Sequence, residues 1–183
     1  AYRLQNILAI DDKLYVDPVI NEVTVDFIII RPNKGILLIT LFDKNLNDYC
    51  LSENKKELSV KNIDGRSEKN TETVLSPFEL NNICQLSIKD CVEELLLSTI
   101  EDNRNFGLIK KAVIFSENSI EDIKKFWNVQ DEKKSHTYFF GNEFISNPII
   151  SQSLFTKLNF ICNSQNFDDI VRRKITAVIS PLW

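Results

Sequence analysis

The residues of this chain best placed to do chemistry lie in the stretch VTVDFIIIRPNKGILLITLFDKN, from Val23 to Asn45. It sets one carboxylate, Asp26, in an otherwise apolar run, turns through Pro32-Asn33-Lys34-Gly35, and returns past Thr40 and Phe42. Two antiparallel strands joined by a Gly-containing turn bring side chains of both within reach of one another. Carboxylates held in that way bind a divalent cation such as magnesium, which takes hard oxygen ligands. Here the returning run offers only a hydroxyl at Thr40 and a ring at Phe42. Two further carboxylates are candidates beside Asp26. Glu22, four residues earlier, is predicted on the same strand face. Asp43 follows the returning run, where alternation turns it to the face of Leu41 rather than that of Thr40 and Phe42. For both, a solvated strand edge or strand end is the competing reading.

The elements that must position these residues are legible from periodicity. Val23–Arg31 and Gly35–Phe42 read as consecutive strands, β-branched and apolar enough to be buried on both faces. Residues before them form short irregular or strand pieces, with Pro18 against a central strand. DYCLS and ELSV follow as a third and fourth strand around a polar ENKK turn, and Lys61 to Val74 reads as loop. Ser76-Pro77-Phe78-Glu79 predicts the start of the longest helix, running to about Ile100: Ser as cap, Pro at the first position, Glu at the third. Leu108 to Ser116 is a buried strand and SIEDIKKFW an amphipathic helix capped by Ser119. SHTYFFG is a last strand, and a terminal helix carries Asp168 and Asp169 early, with Arg172, Arg173 and Lys174 in its middle. Strands first, then helix and strand in alternation, predict an α/β domain with a mixed sheet.

Composition bounds the function. At 183 residues the chain fits a single domain, residues 1–183, with a sizeable core. A net charge of −4 argues against a surface dedicated to coating nucleic acid, though not against a local basic patch. The four cysteines form no CxxC pair and His136 is the only histidine, so no zinc constellation is expected; free thiols suit a reducing, cytoplasmic setting. No apolar run is long enough to span a membrane, so no membrane partner is expected. The chain starts at Ala1, contains no methionine and stops at SPLW directly after a helical pattern, and so reads as an N-terminal piece of a longer protein. Gln85 can contact a phosphate, and Arg172, Arg173 and Lys174 a DNA backbone. An ordinary helix surface is the competing reading for all four. Phe126 and Trp127 read as core rather than a base-stacking platform.

The Val23–Asn45 stretch resembles the nuclease-related domain, NERD, a branch of the PD-(D/E)XK nuclease superfamily. The pattern is an aspartate in an apolar strand, a P-x-x-G turn, and a strand ending in Glu-x-Lys. VDFIIIRPNKGILLITLF reproduces the aspartate (Asp26), the turn (Pro32 to Gly35) and the apolar frame. NLNDYCL is similar to the segment that follows in helicase-linked members, SPFEL to their Ser-Pro-x-x-Gln helix start, and KKAVIFS to a later strand. RRKITAVISPLW resembles the junction into a superfamily-one helicase core. The resemblance implies a restriction-endonuclease-like fold with a mixed central sheet flanked by helices, and a place ahead of a helicase.

The departures from that pattern bear on activity. Thr40 stands where the family has glutamate, Phe42 where it has lysine, and Leu80 where it has the helix-start glutamine. Such a site binds magnesium between carboxylates and sets a lysine near the attacking water or the scissile phosphate. With Asp26 its only carboxylate, the site is expected to be vestigial: no catalytic residues, no metal (Asp26 if any) and no cofactor. The expected function is an inactive accessory or interaction domain of a DNA-processing protein, its partners the helicase core of its own chain, other proteins, or DNA. The alternatives are an active Mg2+-dependent nuclease using Asp26 with Glu22 or Asp43, and a purely structural oligomerisation domain.

Overall fold

The computed structural model describes residues 2–20, 22–61, 72–91, 108–134, 136–160 and 169–179. Its centre is a mixed six-stranded sheet in the order β1 (Lys13–Val16), β4 (Phe27–Arg31), β5 (Gly35–Phe42), β9 (Ile109–Phe115), β11 (Thr137–Phe140) and β10 (Lys133–Lys134). β1–β4, β4–β5 and β11–β10 pair antiparallel, and β5–β9 and β9–β11 pair parallel. The expected central hairpin is therefore present, its turn formed by Pro32 to Lys34 and closed by Gly35. Gly35 is required there. Its φ is +127°, and a Cβ at this position would lie 2.3 Å from the Leu108 carbonyl oxygen.

Strand alternation sorts the apolar residues into two faces. Phe27, Ile29, Leu37, Ile39, Ala112, Ile114 and Phe140 pack on one side against α1 (Tyr2–Gln5), α4 (Glu143–Ser146) and α6 (Leu154–Lys157), which is joined to α4 through α5 (Pro148–Gln152). On the other side Ile28, Ile30, Ile36 and Leu38 meet Cys84 and Ile88 of α2 (Pro77–Cys91) and Ile175 and Ile179 of α7 (Asp169–Ile179). Further along that face, Phe42, Val113, Phe115 and Phe139 join Phe78 of α2 and Ile123 and Trp127 of α3 (Ile120–Trp127). The domain is thus mixed α/β, a central sheet with helices on both faces. Among the described residues no helix is long and apolar enough to cross a membrane.

The caps follow the chemistry of their residues. Ser119 and Asp122 form a reciprocal capping box on α3. Ser76 Oγ accepts the Glu79 N–H of α2, but the Glu79 carboxylate does not return to Ser76; it accepts from Lys56 and Asn82, while the Ser76 N–H donates to the Lys56 carbonyl. Beyond Cys91 the expected continuation of α2 to Ile100 lies outside the described residues.

Three expectations need correction. Val23–Arg31 is not one strand. Val23–Thr24 (β3) pairs with Val19–Ile20 (β2) in a separate hairpin, and β4 begins only at Phe27. At the break, the Val25 N–H donates to the Pro18 carbonyl and the Asp17 N–H to the Asp26 carbonyl, so the chain there is held by the 17–18 segment. The stretch from Lys61 to Val74 is not all loop: β6 (Tyr49–Leu51), β7 (Glu57–Val60) and β8 (Thr73–Leu75) form a three-stranded antiparallel sheet, while 62–71 lie outside the described residues. Glu22 is not on a strand face with Asp26. It has a left-handed backbone (φ 65°) in the two-residue connection between β2 and β3, and its side chain is exposed.

Candidate functional site

The geometry at Asp26 follows from register. The last ladder pairs are Phe27 with Ile39 on β5 and Phe27 with Val16 on β1. One step further, Asp26 lies opposite Thr40 on one side and Asp17 on the other. Asp26, at the bend before β4, is near α2, because its charge is felt at the Cys84 thiol. The hairpin therefore juxtaposes Asp26 and Thr40, with Phe42 two residues along the same face.

None of the three is arranged as a metal site. The Leu41 N–H donates to Asp26 Oδ2 at 2.8 Å, so one carboxylate oxygen already serves the backbone at the edge of the ladder. Thr40 is 3% exposed, inside the sheet–helix interface. Phe42 is 8% exposed and its ring sits 5.4 Å from that of Phe115 and 6.2 Å from that of Tyr49. A side chain at 42 points into this aromatic cluster rather than across to a carboxylate. Leu80, at the helix-start position, is half-buried and packs with the Ile28–Cys84 group.

Burial, above all, pushes the Asp26 carboxyl above its ordinary value; the Leu41 N–H opposes this, and Asp17 and Asp43 add to it. The same carboxylate, after burial, helps push the Cys84 thiol of α2 up to about 11, which keeps it protonated. Asp43 is exposed just past the end of β5, near enough to be felt at Asp26. Asp17, with a left-handed backbone (φ 50°), completes an acidic neighbourhood that sequence reading missed. Its only signal was the Asp17-Pro18 pair that ends β1. Among the described residues, no group of three or more His, Cys, Asp or Glu side chains is arranged to hold a metal ion.

The other candidates are scattered. Gln85 is half-buried on α2 and lines a different cavity, of about 410 Å3, with Lys110, Lys111, Lys133 and His136. In α7, Arg172 is half-buried and Arg173 exposed; the Lys174 side chain lies outside what is described. Trp127 is core, as expected, and Phe126 packs beside it at 4.7 Å between centroids. Sequence reading also missed a buried polar layer beneath α2. Lys111, on β9 and 6% exposed, donates to Asn82 Oδ1 at 2.6 Å, and Asn81 Nδ2 donates to the Ala112 carbonyl at 2.8 Å.

No family model, no curated protein and no solved structure matches this chain.

Proposed function

We propose that the chain is a nuclease-like domain of the NERD type, restriction-endonuclease-like in fold, that has lost its metal chemistry and works as a binding module of a DNA-processing protein. The observation that carries this reading is the side-chain geometry on one strand face. Asp26 stands opposite Thr40, where the resemblance needs a second carboxylate, and Phe42 is packed against Phe115 where it needs a lysine. The scaffold that the resemblance requires supports it as well: a central antiparallel hairpin with the helix from Pro77 across its face and a parallel strand beyond.

The residues present do not fit a divalent ion. A single half-buried carboxylate that already holds a backbone N–H leaves magnesium to water for nearly its whole shell. Among the described residues no carboxylate stands opposite Asp26 on β5, where Thr40 lies, and a ring stands at Phe42 in place of a lysine. On this reading the module acts by contact, with a helicase core of its own chain, another protein, or DNA. The second reading, an active nuclease using Asp43 with Asp26, rests on the electrostatic proximity of those two residues. Glu22, exposed in its turn, does not support it.

Incubating the 183-residue chain with single- and double-stranded DNA in magnesium or manganese tests both. The expected result is intact substrate. Cleavage that disappears in Asp26→Ala would establish the second reading instead.

A further inference from the structure

The N-terminal end of α2 opens on a cleft of about 360 Å3, walled by the turn between β6 and β7 on one side and by β10 and β11 on the other. Neither Asp26, Thr40 nor Phe42 lines it, so it is a separate place from the hairpin. Three lysines reach it, Lys55, Lys56 and Lys134, against one carboxylate, Glu79. That carboxylate is already occupied. It accepts from Lys56 Nζ at 3.1 Å and from Asn82 Nδ2 at 3.3 Å, and the Lys56 bond is the main cause that holds its pKa below the ordinary value. Among the described residues neither Lys55 nor Lys134 has an ion-pair partner.

Lys134 is half-buried, with its ammonium 4.6 Å from the centroid of the Phe78 ring and 5.8 Å from that of Trp127. Burial, then the nearby Lys55, pulls its pKa down, partly opposed by Glu79. The exposed Lys55 and the half-buried Lys134 repel each other, an unfavourable arrangement that an anion bound by both reverses. The rest of the wall supplies uncharged donors. α2 presents the positive end of its dipole and the Phe78 N–H; Pro77 has no N–H, and those of Glu79 and Leu80 go to Ser76 Oγ and the Ser76 carbonyl. Asn54 Oδ1 accepts from Ser52 Oγ and the Lys56 N–H, which leaves its Nδ2 as a donor. Thr137 lines the cleft, is 1% exposed, and its hydroxyl has no hydrogen bond to any described residue.

We infer that this cleft binds a phosphoryl group, of a free phosphate ester or of a nucleic-acid backbone, with Lys55 and Lys134 as its charged ligands and Thr137 and the first turn of α2 as donors. Two features favour a phosphoryl group over a carboxylate. Its tetrahedral oxygens can meet donors from different walls, and a phosphate monoester brings more than one negative charge to the two ammoniums, where a backbone phosphodiester brings one. The inference does not need the nuclease-like reading, because it concerns binding at a cleft that the hairpin does not line.

Titration of the 183-residue chain with inorganic pyrophosphate at low ionic strength, followed by calorimetry, tests it. Saturable binding is expected, weakened by added salt and reduced about tenfold in Lys134→Gln and in Lys55→Gly, as loss of one charged hydrogen bond implies. Lys55 has a left-handed backbone (φ 59°), so glycine suits its turn and removes only the cation. That variant keeps the test decisive if Lys134→Gln, over its two rings, fails to fold. A fluorescent short oligothymidylate separates the sources. Binding that pyrophosphate displaces assigns the cleft to a nucleic-acid backbone, and pyrophosphate binding with no oligonucleotide binding assigns it to a free phosphate ester. Absence of pyrophosphate binding, or binding unchanged in folded Lys55→Gly, overturns the inference.

Discussion

Strand β4 has an acidic side chain at each end, and the two are held in opposite ways. At its C-terminal end Arg31 grips Asp12, with Nε 2.8 Å from Oδ1 and Nη2 2.5 Å from Oδ2. The Ala9 N–H also donates to Asp12, and the guanidinium lies 3.7 Å above the Phe155 ring. At its N-terminal end Asp26 accepts the Leu41 N–H and is otherwise felt by two more carboxylates, Asp17 and Asp43. One carboxylate is matched by charge and geometry on every side. The other is half-buried in an acidic neighbourhood that only a backbone donor relieves. A carboxylate needed for folding acquires the partners that Asp12 has. Asp26 has no such partners: one backbone N–H and two neighbouring carboxylates surround it.

The largest effect should come from breaking the matched end. The Asp12 side chain is 1% exposed and that of Arg31 13%. Asp12→Ala leaves a guanidinium in the core with no counter-charge, at a cost of about 3–5 kcal/mol, more than most single changes. Urea unfolding measures it. A loss below about 1 kcal/mol, the value of an exposed pair, would remove the contrast between the two ends of β4.

The second test puts charges at positions 40 and 42 of β5, beside the Asp26 end of the hairpin. Phe42→Lys removes a ring from the Phe115–Tyr49 cluster and sets an ammonium at the edge of the core. Loss of the buried aromatic alone costs about 3 kcal/mol. Thr40→Glu, on the same face and two residues away, should recover part of this by pairing with the new ammonium. The double variant should also gain measurable magnesium affinity, because two carboxylates then face each other across β4 and β5. A double variant with native stability and no magnesium binding by calorimetry would show that Thr40 and Phe42 are not the old ligand positions.

The hairpin at the heart of this comparison was legible in the sequence because β-branched runs and a Pro-x-x-Gly turn are local signals. So were α2 and α3, marked by Ser76-Pro77 and by Ser119 with Asp122. Features that depend on distant pairing were not. Asp12 and Arg31 are nineteen residues apart with no spacing rule to join them. Asp17 meets Asp26 only through the β1–β4 register. The Glu22 prediction failed because alternation was extended backward through a left-handed turn, where it no longer applies. β8 and the short helices between Glu143 and Lys157 are too brief for a periodic pattern to declare them. The α2 cleft draws its lysines from the β6–β7 turn and from β10, far apart in sequence and each unremarkable by itself.

The smallest effect, and the most discriminating, concerns Asp26 itself. Burial holds its carboxyl above the ordinary 3.8, so the folded state binds that proton more tightly than the unfolded one. The stability this supplies is fully present below about 3.8 and is lost as pH rises through the higher folded value. At neutral pH the ionised carboxylate is the less favourable form. Asp26→Asn keeps a carbonyl oxygen for the Leu41 N–H and discards the charge. The variant should therefore match or slightly exceed the parent in thermal stability at neutral pH, and lose that advantage as the pH falls below the folded value. A loss of about 1 kcal/mol or more at neutral pH, the worth of a satisfied hydrogen bond, would mean that the charge itself has a favourable partner. Asp26 would then resemble Asp12, and the place to look for its partner would be a bound cation.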